Sequence, residues 1–229
     1  MLRSKCEKLG VIAFDLDGVL VKHTSSWRYL HEKFGSIRII QERNDSELFK
    51  EGVISYSEWM ARDLEALLQA TNNKLRREDI VRAFSEYELE DGAEDLINYV
   101  KSLGITVAIV SGGIDILANM VAERLGIELV FANKLLFDDQ GYLIPEGVEV
   151  VNPLHKDEIL KKISRITSVP LSKFMFVGDS DWDECAFKVA GYPVLYLRGS
   201  EIPRINVNNI YVVKSMRELK DLISELCSS

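Results

Sequence analysis

Long apolar runs, cysteine and surplus basic charge are all scarce in this 229-residue chain, and each scarcity closes off a class of protein. The apolar stretch from Leu9 to Phe14 follows Arg3, Lys5 and Lys8 but stops at Asp15, too short for a membrane span or the core of a secretory signal. Cysteine is limited to Cys6, Cys185 and Cys227, an odd number far apart, without CxxC spacing or a nearby histidine. That pattern argues against zinc ligation and points to a reducing, cytoplasmic setting. The 28 Lys and Arg residues against 36 Asp and Glu leave a formal charge of −8. Such a surface repels nucleic acid and anionic membranes, so the expected partner is a small molecule drawn to a local positive site. Internal repeats and low-complexity tracts are missing too. What remains is a chain long enough for one substantial core and an inserted subdomain.

Val11 to Phe14 is almost wholly apolar, with Gly10 before it and carboxylates after it, as a strand buried on both faces of a parallel sheet reads. Ile105 to Val110 ends at Ser111, and Phe174 to Val177 ends at Gly178 and Asp179. Three strands therefore deliver polar residues to one sheet edge. Helical spacing recurs at Ile114, Leu117, Val121 and Leu125 and at Ile159, Leu160, Ile163 and Ile166. Strand alternating with helix predicts an α/β fold with a Rossmann-like, doubly wound parallel sheet, whose ligands bind at the carboxyl ends of the strands. Two further strands are expected at Val194 to Leu197 and Ile210 to Val213, then a final helix opened by a Ser215 and Glu218 capping box. Residues 25–90 break the alternation with helical spacing alone and read as an inserted helical cap, leaving 1–24 and 91–229 as the core. Asp138 to Gly141 between two apolar segments predicts a β-hairpin.

The chemistry lies at the strand ends. Asp15 and Asp17 are two apart, with Gly18 permitting a tight turn. One carboxylate can attack phosphorus, and a second can protonate the leaving alcohol and later activate water. Ser111, Gly112 and Gly113 offer a hydroxyl and bare backbone N–H groups to phosphate oxygens. Lys156 opens a helix after Pro153, against the dipole, and so asks for an anionic neighbour. Asp179, with Asp183 close behind, supplies oxygens for a hard cation. Asp183 could instead hold Lys156 or a metal-bound water in place.

Taken singly, each motif has a plain structural alternative: a strand-end turn, an N-cap serine with flexible glycines, a solvated lysine. Calcium loops fail, because Val19 stands where an EF-hand needs an oxygen, and Glu184 and Ala190 replace its glycine and closing glutamate. Phosphomonoester hydrolysis can require accelerations of ~10²¹, about 28 kcal/mol, whereas one oxyanion donor supplies about 3 to 4 kcal/mol. The set matters more than its members.

In type, order and context these residues resemble the four motifs of the haloacid dehalogenase superfamily, matched by Asp15 and Asp17, Ser111, Lys156, and Asp179 with Asp183. The resemblance implies Mg²⁺ and an aspartyl phosphate. Asp15 would be the nucleophile and Asp17 the general acid and base. The ion would be held by Asp15, the Asp17 backbone carbonyl and Asp179, and phosphate by Ser111, Gly112 and Lys156. The insertion after the first motif, the Ser111 to Gly113 turn and the Phe131 to Asn133 segment resemble the phosphoserine phosphatase branch. Two positions depart from it. The glutamate that reads the substrate amino group falls on Thr24, and the arginine that reads its carboxylate falls on Asp63, with Arg62 one place short. The expectation is thus a phosphatase of a small phosphomonoester other than strictly phosphoserine, with Trp27, Tyr56, Trp59 and Arg62 as candidate selectors. A phosphotransferase or mutase would use the same residues. A non-catalytic binding module is disfavoured because no catalytic carboxylate is lost.

Overall fold

The computed structural model describes residues 6–200 and 202–228. At its centre β1 (Val11–Phe14) has all four residues buried. It pairs in parallel with β2 (Thr106–Ile114) on one side and β5 (Phe174–Gly178) on the other. Beyond β2 lie β3 (Leu129–Phe137) and the antiparallel β4 (Leu143–Val148); beyond β5 lie the parallel β6 (Tyr192–Tyr196) and β7 (Tyr211–Val213). The order β4-β3-β2-β1-β5-β6-β7 reverses direction at β1, and such a switch point opens a crevice at the strands' carboxyl ends. Strand alternation divides the core: Ile12, Phe14, Ile109 and Val177 belong to one hydrophobic cluster, and Val11, Ala13, Val110 and Phe176 to the other.

Five helices separate β1 from the rest of the core: α1 (Ser26–Phe34), α2 (Ile37–Arg43), α3 (Asp45–Lys50), α4 (Tyr56–Ala70) and α5 (Arg77–Phe84). Ser25 caps α1 by accepting from the Arg28 amide, and Gly35 ends it in the left-handed region. A Ser55–Glu58 capping box opens α4, which buries Leu64, Leu67 and Leu68. The sheet is covered by α6 (Ala93–Ser102), α7 (Asp115–Leu125), α8 (Lys156–Thr167), α9 (Glu184–Val189) and α10 (Met216–Ser228).

Several local expectations need correction. The first motif needs none: Asp15 directly follows β1 as expected, and Asp17 lies in the turn beyond it, where the Leu16 carbonyl accepts from the amides of Val19, Leu20 and Val21. Strand β2 does not stop at Val110 but runs through Ser111 to Ile114 with a break in register, and Ser111 caps nothing because α7 begins at Asp115. At α10 only half of the capping box forms: the Ser215 hydroxyl accepts from the Glu218 amide, but the Glu218 carboxylate accepts from Lys214 instead. The β3–β4 hairpin forms as expected, yet its tip bonds back to the insertion, with the Arg77 amide donating to the Gly141 carbonyl and Leu143 to Leu75. The cysteines are not all free, since Cys6 and Cys227 form a disulfide across 221 positions and leave Cys185 as the free thiol. Distance along the sequence said nothing of this, because α10 brings Cys227 back beside Cys6.

Candidate active site

The turn after β1 places Asp15 against the amino end of α8. Buried Lys156, the first residue of that helix, donates to Asp15 Oδ2 at 2.8 Å and to Asp183 Oδ1 at 2.6 Å. The other Asp183 oxygen accepts from the amides of Asp179 (3.0 Å) and Ser180 (3.3 Å). Asp183 is therefore committed to holding the lysine and the loop after β5. Asp15 Oδ1 accepts from the Leu16 amide at 2.7 Å, which fixes the carboxylate plane.

Carboxylate oxygens of Asp15, Asp179 and Asp183 lie within 4.8 Å of one another. Burial, and then the neighbouring acids, push Asp15 up to about 7 and Asp179 up to about 8, Lys156 opposing the rise at both. Burial alone would lower Lys156, but the charges of Asp15 and Asp183 and the bonds to them raise it. One ammonium thus faces a surplus of carboxylate. Asp183 and Asp15 each spend hydrogen-bonding capacity on Lys156 and on backbone amides, whereas Asp179 takes no side-chain hydrogen bond among the described residues; Asp179 beside Asp15 makes an oxygen donor set that fits Mg²⁺. Gly18, at φ +76°, is required here twice over: for its backbone, and because a Cβ would come within 2.0 Å of Asp179 Oδ2.

Asp17 is oriented by two residues that sequence reasoning missed. Ser26, directly after the α1 cap, donates to Asp17 Oδ2 at 2.7 Å and accepts from the Ile114 amide. His23 Nε2 sits 3.1 Å from Asp17 Oδ1 without the alignment of a hydrogen bond. A Cβ on Gly113 would meet both Ser26 Oγ and Asp17 Oδ2 at about 2.5 Å or less, so the glycine lets the second motif approach the first. Ser111 is buried and accepts from the Gly113 amide at 3.0 Å, which leaves its own proton for a ligand oxygen. The Gly112 carbonyl accepts from three donors: Tyr56 Oη (2.7 Å), Asn133 Nδ2 (2.9 Å) and Trp27 Nε1 (3.2 Å).

Asp15, Asp17, Ser111, Gly112, Lys156 and Asp179 line a pocket of about 170 Å³, and the insertion adds Trp27, Tyr56 and Trp59 to its walls beside Thr24. Trp182, also missed, joins these walls by stacking on Phe49 beside Trp59. Arg62 does not reach the pocket, because it turns away to pair with Asp45 at 2.7 Å. Asp63 is buried in the insertion beside His31.

An attacking carboxylate, a second carboxylate held in place, a buried ammonium and a hydroxyl around one small pocket at a switch point define the class of phosphomonoester hydrolases. A family model of haloacid dehalogenase-like hydrolases matches residues 9–191, and the chain belongs to that family. It is 29% identical over 190 residues to the phosphoserine phosphatase of Methanocaldococcus jannaschii, covering 83% of this chain and 86% of that one. With the phosphoserine phosphatase of Idiomarina loihiensis it shares 24% identity over 222 residues, 93% and 96% of the two chains. Among solved structures, a substrate-bound phosphoserine phosphatase complex superposes with a TM-score of 0.76 at 28% identity, over 94% of this chain and 99% of the other. A phospho-aspartyl intermediate analogue of phosphoserine phosphatase gives 0.74 at 27% identity, with the same coverage.

Proposed function

We propose that the chain hydrolyses a small phosphomonoester other than strictly phosphoserine, by way of a phosphorylated Asp15 and with Mg²⁺ bound beside it. The observation that carries this reading is Lys156, buried and shared between Asp15 and Asp183, which joins residues from three separate motifs into one charged centre. Asp15 attacks the phosphorus through a carboxylate oxygen, and the bond from phosphorus to the ester oxygen breaks. Asp17, held by Ser26, gives its proton to the departing alkoxide; it then takes one from the water that releases inorganic phosphate and restores Asp15. Ser111, Gly112 and Lys156 hold the phosphoryl oxygens. Asp15, the Asp17 backbone carbonyl and Asp179 would hold Mg²⁺, which when bound neutralises charge on the transferring group. Asp183 keeps Lys156 and the Asp179 loop in position.

In this reading residues 25–90 form a cap that selects the substrate, and the core is 1–24 and 91–229. Thr24 in the pocket wall, Arg62 turned away and Asp63 buried support a substrate different from the relatives'. A small-molecule partner belongs to the same reading, favoured by the acidic charge; a cytoplasmic setting loses its cysteine argument to the Cys6–Cys227 disulfide, and cell fractionation tests it. Among the described residues no helix is long and apolar enough to cross a membrane. Asp15→Asn, with p-nitrophenyl phosphate and Mg²⁺, tests the mechanism: turnover is expected to fall at least about 10³-fold, as for loss of a nucleophile. A folded variant as fast as wild type would overturn the assignment.

A further inference from the structure

Beside its charged residues, the pocket is lined by four aromatic rings: Trp27, Tyr56 and Trp59 from the insertion, and Trp182 from the loop after β5, three positions beyond Asp179. All three indoles line this space while only half-buried. Two of the rings are pinned by their polar tips to the turn that carries Ser111 and Gly113. Trp27 Nε1 and Tyr56 Oη both donate to the Gly112 carbonyl, and Tyr56 Oη accepts from Asn133 Nδ2. Those polar atoms are spent within the protein, so what the two side chains offer a ligand is ring surface. Trp59 and Trp182 form one array with their neighbours. Their ring centroids are 6.0 Å apart, both rest on Phe49 at 5.5 and 6.2 Å, and Tyr56 meets Trp59 edge-on at 5.8 Å.

Charge in the pocket is confined to the reacting centre. Asp15, Asp17, Lys156 and Asp179 are the charged residues that line it among those described. Two cations of the insertion are taken elsewhere: Arg62 by Asp45, and Lys50 by Asp181 at 3.1 Å, with the Lys50 ammonium 4.2 Å from the centre of the Trp182 ring. A carboxylate on the leaving alcohol therefore meets no counter-ion at this wall, and an ammonium meets a Trp182 ring that already carries one; taking either charge out of water uncompensated is costly. A flat uncharged ring needs no counter-ion, and it gains both burial and ring-to-ring contact. A cavity of about 150 Å³ admits benzene, so about 170 Å³ shared with a phosphate suits a single ring rather than a nucleoside.

We propose that the wall formed by Trp27, Trp59 and Trp182 is the leaving-group subsite of the phosphatase and that it selects phosphomonoesters of uncharged, single-ring aromatic alcohols. This rests on the phosphatase reading above and names its substrate class. The indoles are then specificity residues that touch the alcohol, whereas Ser111 and Lys156 meet the phosphate whatever it is attached to.

The test compares kcat/KM for benzyl, cyclohexylmethyl and 3-hydroxypropyl phosphate, all esters of primary alcohols, with O-phosphoserine and phosphocholine as charged competitors. Benzyl phosphate is expected to exceed its saturated analogue by about threefold or more, the worth of an aromatic pair beyond burial, and the hydroxypropyl ester by about tenfold or more. At least one of Trp27→Leu, Trp59→Leu and Trp182→Leu should bring the benzyl-to-cyclohexylmethyl ratio towards one; being taken within each protein, the ratio is unaffected by the fraction folded. A ratio at or below one in the wild-type protein overturns the proposal, as does a ratio unchanged in all three variants, or O-phosphoserine or phosphocholine outperforming benzyl phosphate. Binding separates this failure from failure of the phosphatase reading: quenching of indole fluorescence gives the affinities of benzylphosphonate and methylphosphonate in the presence of Mg²⁺. If no ester is turned over, p-nitrophenyl phosphate included, the phosphatase reading falls; benzylphosphonate binding about tenfold tighter than methylphosphonate would still support the aromatic subsite, and equal affinities would remove it.

Discussion

Replacing Asp183 by asparagine isolates the group on which the rest of the charged centre leans. The side chain is fully buried, with one oxygen facing the Lys156 ammonium at 2.6 Å and the other facing the Asp179 and Ser180 amides. Asparagine keeps the shape but has only one oxygen, so its NH₂ must face donors on one side or the other. Removing one partner of a buried pair costs about 3 to 5 kcal/mol. Part of that is returned, because Asp15 and Asp179 lose a repelling neighbour, so the expected net loss is about 2 to 3 kcal/mol. For a chain of this size it lowers Tm by roughly 5 to 10 °C. Urea unfolding and calorimetry measure it, with Asp181→Asn as the control. Asp181 is exposed and contacts only Lys50 among the described ion pairs, so its change should stay within about 0.5 kcal/mol. Equal effects for the two variants would refute the idea that Asp183 organises the site.

Other outcomes follow from the same geometry. Asp15 and Asp179 have folded-state values near 7 and 8 against 3.8 as the ordinary value; the folded state therefore binds more protons between those limits, and metal-free stability should fall as pH rises from about 4 to about 8. Mg²⁺ should flatten that slope and stabilise more at pH 8 than at pH 5 in thermal melts; identical shifts at both would count against Asp15 and Asp179 as its holders. Ser26→Ala removes the donor to Asp17 and the acceptor for Ile114. It should cost about 1 to 3 kcal/mol in stability and lower kcat more than it raises KM, whereas unchanged kcat would mean that Asp17 needs no orientation. Cys227→Ser opens a closure of 221 positions, for which the chain-entropy model gives at most ~5 kcal/mol; a variant melting like the oxidised protein in the absence of reductant would show that the bond carries no stability.

The fold was legible wherever one local pattern decided it. Four buried residues ending at Asp15, and five ending at Gly178, could be nothing but central strands, and the sheet edge followed from them. Less legible was whatever depends on two distant segments meeting. The strand through Ser111 continues because β3 pairs with it as far as Ile114, a tertiary effect outside any local window. Nothing local singles out Ser26, and only folding shows that Ser25 makes the cap while Ser26 reaches Asp17. Arg62 stood one place short of the arginine that the resemblance expects as a substrate reader, but a carboxylate seventeen residues earlier captures it. Trp182 sits among acidic residues in the sequence, and its packing on Phe49 and Trp59 depends on partners more than a hundred residues away.

The covalent tie between Cys6 and Cys227 makes everything between them a closed ring. A single protease cut in the exposed connection between β6 and β7, where Ile202 is 71% accessible, leaves both fragments tethered while the bond persists. Until a reductant arrives, such a nick is silent in any measurement of mass under denaturing, non-reducing conditions, apart from the one water gained.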